Sequence, residues 1–143
     1  MNNAESANER STGRRAQPTD YYIDVEGVGR FRMARRTMRD EFQIGAEYSR
    51  LTEGVDTPTA WLAQMSTIMA TLKVLSVTVP QNWDIEALDP LDDQSYASML
   101  AVYRELRVKE DSFRSVKTVQ AGREAASSND PVLVQTEVSA PAE

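Results

Sequence analysis

The stretch that most constrains the fold runs from Trp61 to Val79, WLAQMSTIMATLKVLSVTV, and contains a single formal charge. Apolar residues recur along it at alternating steps of four and three, at Trp61, Met65, Ile68, Leu72, Leu75 and Val79. On a helix this spacing places all six side chains on one stripe. Thr57 suits an N-cap, Pro58 suits the first helical position, and Pro80 is a stop signal. The sequence therefore predicts a central helix over Trp61–Val79.

The length of this stretch also raises the question of a membrane span, which needs about 20 mostly apolar residues. Lys73 lies near its middle, and a charge at that depth in a bilayer is unfavourable. Polar side chains also form a strip along one side of the helix, at Gln64, Thr67, Thr71 and Thr78. We therefore expect a core helix and no membrane partner. No basic segment followed by an apolar run precedes it, so a cytoplasmic location is expected.

A β-hairpin is predicted ahead of the helices. Apolar and polar residues alternate from Tyr21 to Glu26 and again from Arg30 to Met33, and Gly27-Val28-Gly29 separates the two runs. Alternation around flexible turn residues is typical of a hairpin. Because an isolated hairpin is marginal in water, its apolar face is expected to rest on the helices.

A first helix is predicted from Thr37 to Glu53. Thr37 and Asp40 have the spacing of a capping box, in which each residue satisfies a backbone N–H of the other. Gly54 is a natural terminator. The predicted apolar arc of this helix contains Met38, Phe42, Ile44, Tyr48 and Leu51.

A third helix is predicted from about Pro90 to Val116, after a short helical piece over residues 84–88. Asp89 is placed to cap it, and Pro90 suits its first position. One face of this helix is apolar and contains Leu91, Met99, Val102, Leu106 and Phe113, with Tyr96 and Tyr103 at the edge.

The two ends of the chain lack such patterning. Neither the polar run 1–20 nor the Ala-, Ser-, Pro- and Glu-rich run 119–143 contains enough apolar residues to offset the entropy of ordering. We therefore expect a disordered N-terminal arm over 1–20 and a disordered acidic tail over 119–143. Between them, residues 21–118 form a single α-rich domain with an N-terminal β-hairpin. The expected fold class is mainly α with a small β-hairpin (α+β).

The chemistry available to this chain is limited, because it contains neither histidine nor cysteine. Thiolate chemistry, disulfides and the usual proton shuttle at neutral pH are therefore excluded. The sequence has no P-loop and no G-x-G-x-x-G motif. The densest group of acids consists of Asp89, Asp92 and Asp93, for which helix capping is favoured over a Mg²⁺ or Ca²⁺ site. We expect no enzyme, no cofactor and no metal.

The candidate functional residues are therefore those suited to binding a protein partner. Adaptable apolar surface is expected from two tryptophans and two methionines, although methionine on a helix stripe also suits a core: Trp61, Met65, Met69 and Trp83. A basic run is a candidate contact for an acidic protein surface, through Arg35, Arg36 and Arg39. Acids adjoin this run and the net charge of the chain is −6, so nucleic acid is not an expected partner.

A set of segments occurs in a defined order between residues 21 and 114. It comprises EGVGRF in the hairpin, RRTMRDEFQIGAEYSRLTEG, the central helix that begins with tryptophan, VPQNWDIEALDP and YRELRVKEDSFR. In this order the chain resembles the small tail assembly chaperones of long-tailed bacteriophages and prophages. The resemblance implies a non-enzymatic protein of the host cytoplasm that is absent from the mature virion. It also implies binding to the tape-measure protein, whose long hydrophobic helices are kept soluble, and recruitment of tail-tube subunits.

Two other functions remain open at this point. One is a minor structural protein of the virion, such as a head–tail connector or a tail completion protein. The other is a small DNA-associated regulator that uses the basic run from Arg30 to Arg39. Self-association also remains open, because the back of the central helix is weakly apolar, with Ala63, Ala70, Val74 and Val77.

Overall fold

The computed structural model describes residues 8–128, with side chains through residue 115. In chain order the elements are β1 (Glu9–Ser11), β2 (Tyr21–Val25), β3 (Gly29–Met33), α1 (Met38–Thr52), α2 (Ala60–Leu75), β4 (Ser76–Pro80), a 3-10 helix (Ile85–Ala87) and α3 (Asp93–Ser128). The chain divides into two compact units, one ending at Arg107 and the other beginning at Val108. This boundary falls inside the single domain predicted for residues 21–118. The sheet, α1, α2 and α3 through Arg107 belong to the first unit.

The four strands form one antiparallel sheet in the order β1-β4-β3-β2. In the hairpin, Tyr21 pairs with Met33 and Ile23 pairs with Phe31. Residues that face each other across antiparallel strands share one side of the sheet. That side is buried and supplies Tyr21, Ile23, Val25, Phe31, Met33, Val77 and Val79 to the core. The predicted α+β class and the predicted hairpin are therefore confirmed.

The helices complete the core of the first unit. Leu72 and Leu75 of α2, together with Val102 and Leu106 of α3, are almost completely removed from solvent. The predicted capping box of α1 is also present. The Thr37 hydroxyl accepts from the Asp40 N–H at 3.3 Å, and the Asp40 carboxylate accepts from the Thr37 N–H at 2.8 Å. Local polar signals thus set the start of α1.

The predicted N-cap and the predicted C-terminal end of the central helix are both wrong. Its N-cap is Thr59, whose hydroxyl accepts from the Leu62 N–H at 3.2 Å, so α2 begins two residues after the predicted Pro58. It ends at Leu75, and Ser76–Pro80 forms β4 in place of another helical turn. The reason is tertiary: β4 lies between β1 and β3, whose backbones satisfy its hydrogen bonds on both edges.

The prediction of a disordered arm over residues 1–20 is wrong for residues 8–20, and residues 1–7 lie outside the described part. Glu9–Ser11 pairs with β4, with Glu9 opposite Pro80. The Thr12 hydroxyl donates to the Ser76 carbonyl at 2.6 Å. Order here comes from backbone pairing and polar anchors, which a count of apolar residues does not detect.

The third helix differs from its predicted bounds. The carboxylate of Asp92 accepts from the Ser95 N–H at 3.1 Å, and α3 runs from Asp93 to Ser128. It therefore passes the predicted end at Val116 and takes in residues 119–128, which were predicted to be disordered. Residues 117–128 are rich in alanine and other strong helix formers. The remainder of the predicted tail, 129–143, lies outside the described residues.

Three residues predicted to face the core are exposed. In α1, Met38 is 72% exposed and Phe42 is 75% exposed, while Ile44 is buried. Leu91 is exposed and precedes α3. Within residues 8–128, no helix combines the length and the apolar content that crossing a membrane requires.

Candidate partner-binding site

An apolar pocket of 280 Å³ opens beside Trp61 at the start of α2. Three surrounding segments, all in the first unit, contribute its walls. Helix α2 supplies Trp61, Met65 and Met69, the connection to α3 supplies Ile85, Leu88 and Pro90, and α3 supplies Tyr96 and Met99. Glu86 and Asp89 also line it. We call this cavity the Trp61 pocket.

The Trp61 ring is held in place although 59% of the residue is exposed. Its indole N–H donates to the Tyr96 hydroxyl at 3.2 Å, and that hydroxyl donates to the sulfur of Met65 at 3.2 Å. One edge of the indole is thereby fixed to α3, while much of its apolar surface remains in contact with water. A partly exposed aromatic ring with a fixed polar edge is typical of protein-binding surfaces.

Methionines give the pocket an adaptable lining. Met65 and Met99 are buried, and Met69 is half-buried. Methionine has an unbranched, polarisable side chain that adjusts to irregular neighbours. The pocket is therefore suited to apolar side chains of different shapes.

A charge network ties the 3-10 helix beside the pocket to α1 and α2. Glu47 accepts from Arg50 at 2.6 Å and from Lys73 at 2.9 Å. Glu86 accepts from the same two cations, at 2.6 Å and 3.1 Å. Because Glu86 adjoins Ile85, these ion pairs help to hold the connecting wall of the pocket in place.

The network is expected to stay ionised at neutral pH. Hydrogen bonds from Arg50 and then from Lys73 lower the pKa of Glu47 to about 2, against the effect of its partial burial. Hydrogen bonds from Lys73 and Arg50 also lower the pKa of Glu86. The hydrogen bond to Glu47 raises the pKa of Lys73. Each carboxylate and its cations thus stabilise one another's charged forms.

The structure brings together three of the four apolar residues that the sequence singled out. Trp61, Met65 and Met69 line one pocket. They are four residues apart, and this spacing places them on the same side of a helix. Trp83 does not join them, since it is only 7% exposed. Its ring packs edge-on against Phe31 with the centroids 5.1 Å apart. The predicted partner contact through the Trp83 ring is therefore contradicted, because this ring belongs to the core.

The basic candidates Arg35, Arg36 and Arg39 lie outside the Trp61 pocket. Arg36 forms an ion pair with Glu41 at 2.8 Å, whereas Arg35 and Arg39 are exposed. The rest of the basic run lies on β3, where the guanidinium groups of Arg30 and Arg32 are 4.0 Å and 5.7 Å from the ring centre of Tyr22. The run is thus divided between the sheet and the region around the start of α1.

Several pocket residues were not identified as functional from the sequence: Ile85, Leu88, Pro90, Tyr96 and Met99. The sequence did contain an indication that these residues approach α2. The predicted helical piece over 84–88, followed by Asp89-Pro90, indicates a tight return of the chain. That return brings the start of α3 back to the start of α2. Which side chains meet there depends on tertiary packing.

No protein-family model, curated protein or solved structure matches this chain.

The acids ahead of α3 have local structural contacts. Asp89 accepts from the Leu91 N–H at 2.9 Å, and Asp92 caps α3. Among the residues that the structure describes, no group of three or more histidine, cysteine, aspartate or glutamate side chains is placed to hold a metal ion.

Proposed function

We propose that this protein is a non-enzymatic tail assembly chaperone of a long-tailed phage or prophage, acting in the host cytoplasm. In this proposal the Trp61 pocket binds apolar helical segments of the tape-measure protein, and the bound complex helps to recruit tail-tube subunits. The observation that carries the proposal is the exposed Trp61 ring, fixed by Tyr96 over a pocket lined with methionines. The order of sequence segments described above supports the same role.

The size of the pocket favours side chains over a whole small molecule. At 280 Å³ it lies just below the ~300–1,000 Å³ of typical small-molecule sites. An amphipathic helix binds such surfaces by inserting a few apolar anchors at spacings of three and four residues. Adaptable methionines suit a client that offers many similar anchors along its length.

Co-expression with the tape-measure protein of the same genome tests the proposal. We expect the intact protein to increase the soluble fraction of the tape-measure protein, and Trp61→Ala to abolish much of that increase. Gln64→Ala is the matched control, because Gln64 is exposed on α2 and does not line the pocket. A tape-measure protein whose solubility is the same with and without this chain would refute the proposal. Stoichiometric amounts of the chain in purified virions would instead favour a structural component.

A further inference from the structure

Helix α1 presents a second apolar surface, on the side away from the core. Met38 and Phe42 are both largely exposed, and exposed small residues follow them on the same side: Gly45, Ala46 and Ser49. Steps of three and four along a helix place these five residues on one face. We call this surface, defined by Met38, Phe42, Gly45, Ala46 and Ser49, the outer α1 face. The opposite face contains the buried Asp40 and Ile44.

Gly45 has no steric role within the described chain. A Cβ at this position would meet no other atom within 4 Å, and its φ is not in the left-handed region. Glycine is unfavourable inside a helix relative to alanine. The missing Cβ is useful where another backbone approaches closely. The middle of the outer α1 face is therefore shaped for a closely packed helix.

The charges at the ends of this face are complementary to each other. Arg39 precedes Ala46 by seven residues, and Glu53 follows it by seven. Arg39 lies about 60° from Phe42 around the helix axis, at about 100° per residue. Glu53 is the C-cap of α1, directly after Thr52 at the opposite end of the helix, and its backbone is left-handed. Both are exposed, and neither has an ion pair within the described residues. A helix that runs antiparallel to α1 would meet both charges if it carried the same two in reverse order.

We infer that the outer α1 face binds the same face of a second copy of this chain. The two α1 helices then run antiparallel about a two-fold axis near Ala46. Arg39 of each copy lies beside Glu53 of the other. Phe42 packs beside Ser49 of the other copy, and Met38 lies towards the ends of the interface. Such an interface is isologous, because each surface serves as its own complement. The occupant is a second copy because one chain supplies both members of the charge pair, in the order that antiparallel packing requires.

The proposed interface between the two α1 helices is short, and its length limits the affinity of the dimer. A helix of 15 residues is about 22 Å long. We expect such a pair of helices to bury no more than ~1,200 Å² in total, which is the upper limit for weak, transient interfaces. We therefore expect a dissociation constant in the micromolar range or above it, with monomer and dimer exchanging rapidly. The Trp61 pocket lies on other elements of the chain and remains open in the dimer.

Disulfide trapping tests the geometry directly, because the chain contains no cysteine. A residue next to a two-fold axis faces its own copy, and a disulfide requires Cα atoms within about 7 Å. Ala46→Cys is therefore expected to form a covalent dimer under mild oxidation. Gln43→Cys is the matched control, since Gln43 is also exposed on α1 but lies about 100° from Phe42 around the axis. We expect it to cross-link at least ten times more slowly; equal rates would overturn the proposed geometry.

Charge reversal tests the pairing under equilibrium conditions. Sedimentation equilibrium of the full chain at increasing concentration is expected to show a monomer–dimer equilibrium. Arg39→Glu and Glu53→Arg, each alone, place like charges together and should weaken association at least five-fold. The double variant should return it to within two-fold of the starting value. A chain that stays monomeric up to millimolar concentration, or a double variant weaker than both singles, would overturn the inference. Trp61→Ala should leave association unchanged, which separates this result from the test of the pocket.

Discussion

The guanidinium of Arg14 lies 2.8 Å from the carboxylate of Asp40, which is 26 residues further along the chain. Asp40 is 2% exposed and is also the acid of the α1 capping box. Arg14 donates in addition to the Val74 carbonyl at 2.8 Å, near the end of α2. Burial opposes ionisation of Asp40, but the hydrogen bonds from Arg14 and Thr37 prevail and lower its pKa. One arginine thus joins the N-terminal segment to two helices.

Replacing Arg14 should destabilise the fold. Arg14→Ala leaves the buried Asp40 carboxylate without its cation, and hydrogen bonds to charged groups contribute about 1.5–3 kcal/mol each. We expect a loss of about that size in the free energy of unfolding, measured by urea denaturation. Arg15→Ala removes the same side chain from an exposed neighbouring position and should change stability by less than about 0.5 kcal/mol. Equal effects of the two substitutions would show that the Asp40 contact contributes nothing.

The Glu47 network should make stability depend on acid pH. The folded-state pKa of Glu47 is about 2, below its ordinary 4.5, so the ionised carboxylate contributes stability above pH 4.5. That contribution is lost as pH falls from about 4.5 towards 2. Glu47→Gln should therefore lower the melting temperature at neutral pH and flatten its decline across this window. Glu105→Gln, at an exposed position on α3, is the control. Identical pH profiles for Glu47→Gln and the unmodified chain would refute the assignment.

The two tryptophans should differ sharply in their contribution to stability. Trp83 is buried against Phe31, and large-to-small changes at such positions cost about 3–5 kcal/mol. Trp61 is mostly exposed and makes one hydrogen bond to Tyr96, so Trp61→Ala should cost about 1 kcal/mol. Chemical denaturation of the two alanine variants measures the difference. A larger loss at Trp61 than at Trp83 would contradict the structure of both sites.

Gly45→Ala should have opposite effects on the monomer and on the dimer. Gly45 lies in a helix with open space around it, so alanine should stabilise the monomer by about 0.5–1 kcal/mol. The added methyl group should also weaken self-association by keeping the two helices apart. Thermal melting at low concentration measures the first effect, and sedimentation measures the second. Tighter association in this variant would argue against close packing at Gly45.

Local signals in the sequence predicted those parts of the fold that depend on neighbouring residues. The capping box of Thr37 and Asp40 and the alternation around Gly27 and Gly29 need no distant partner. The end of α2 does depend on distant residues. Val79 continues the helical spacing of the residues before it, yet residues 76–80 form a strand because β1 and β3 lie beside them. The same pairing orders Glu9–Ser11, where the sequence predicted disorder.

The candidate site was predictable to the extent that it lies on one helix. Trp61, Met65 and Met69 are four residues apart, so helical spacing alone places them on one side of α2. Tyr96 and Met99 reach the pocket through the return of the chain before α3, which spacing does not specify. Trp83 was predicted to contact a partner, but this large aromatic residue of a predicted turn packs in the core.

The central claim, that the Trp61 pocket binds apolar helices of the tape-measure protein, is tested most directly by tryptophan fluorescence. Trp61 is exposed and Trp83 is buried, so a helix that covers the pocket should shift the emission of Trp61 alone to shorter wavelength. We expect saturable blue shifts when peptides spanning the tape-measure protein are titrated into the full chain. Trp61→Phe, which retains Trp83, should show no shift. The absence of a shift with every peptide, or an equal shift in Trp61→Phe, would contradict the account.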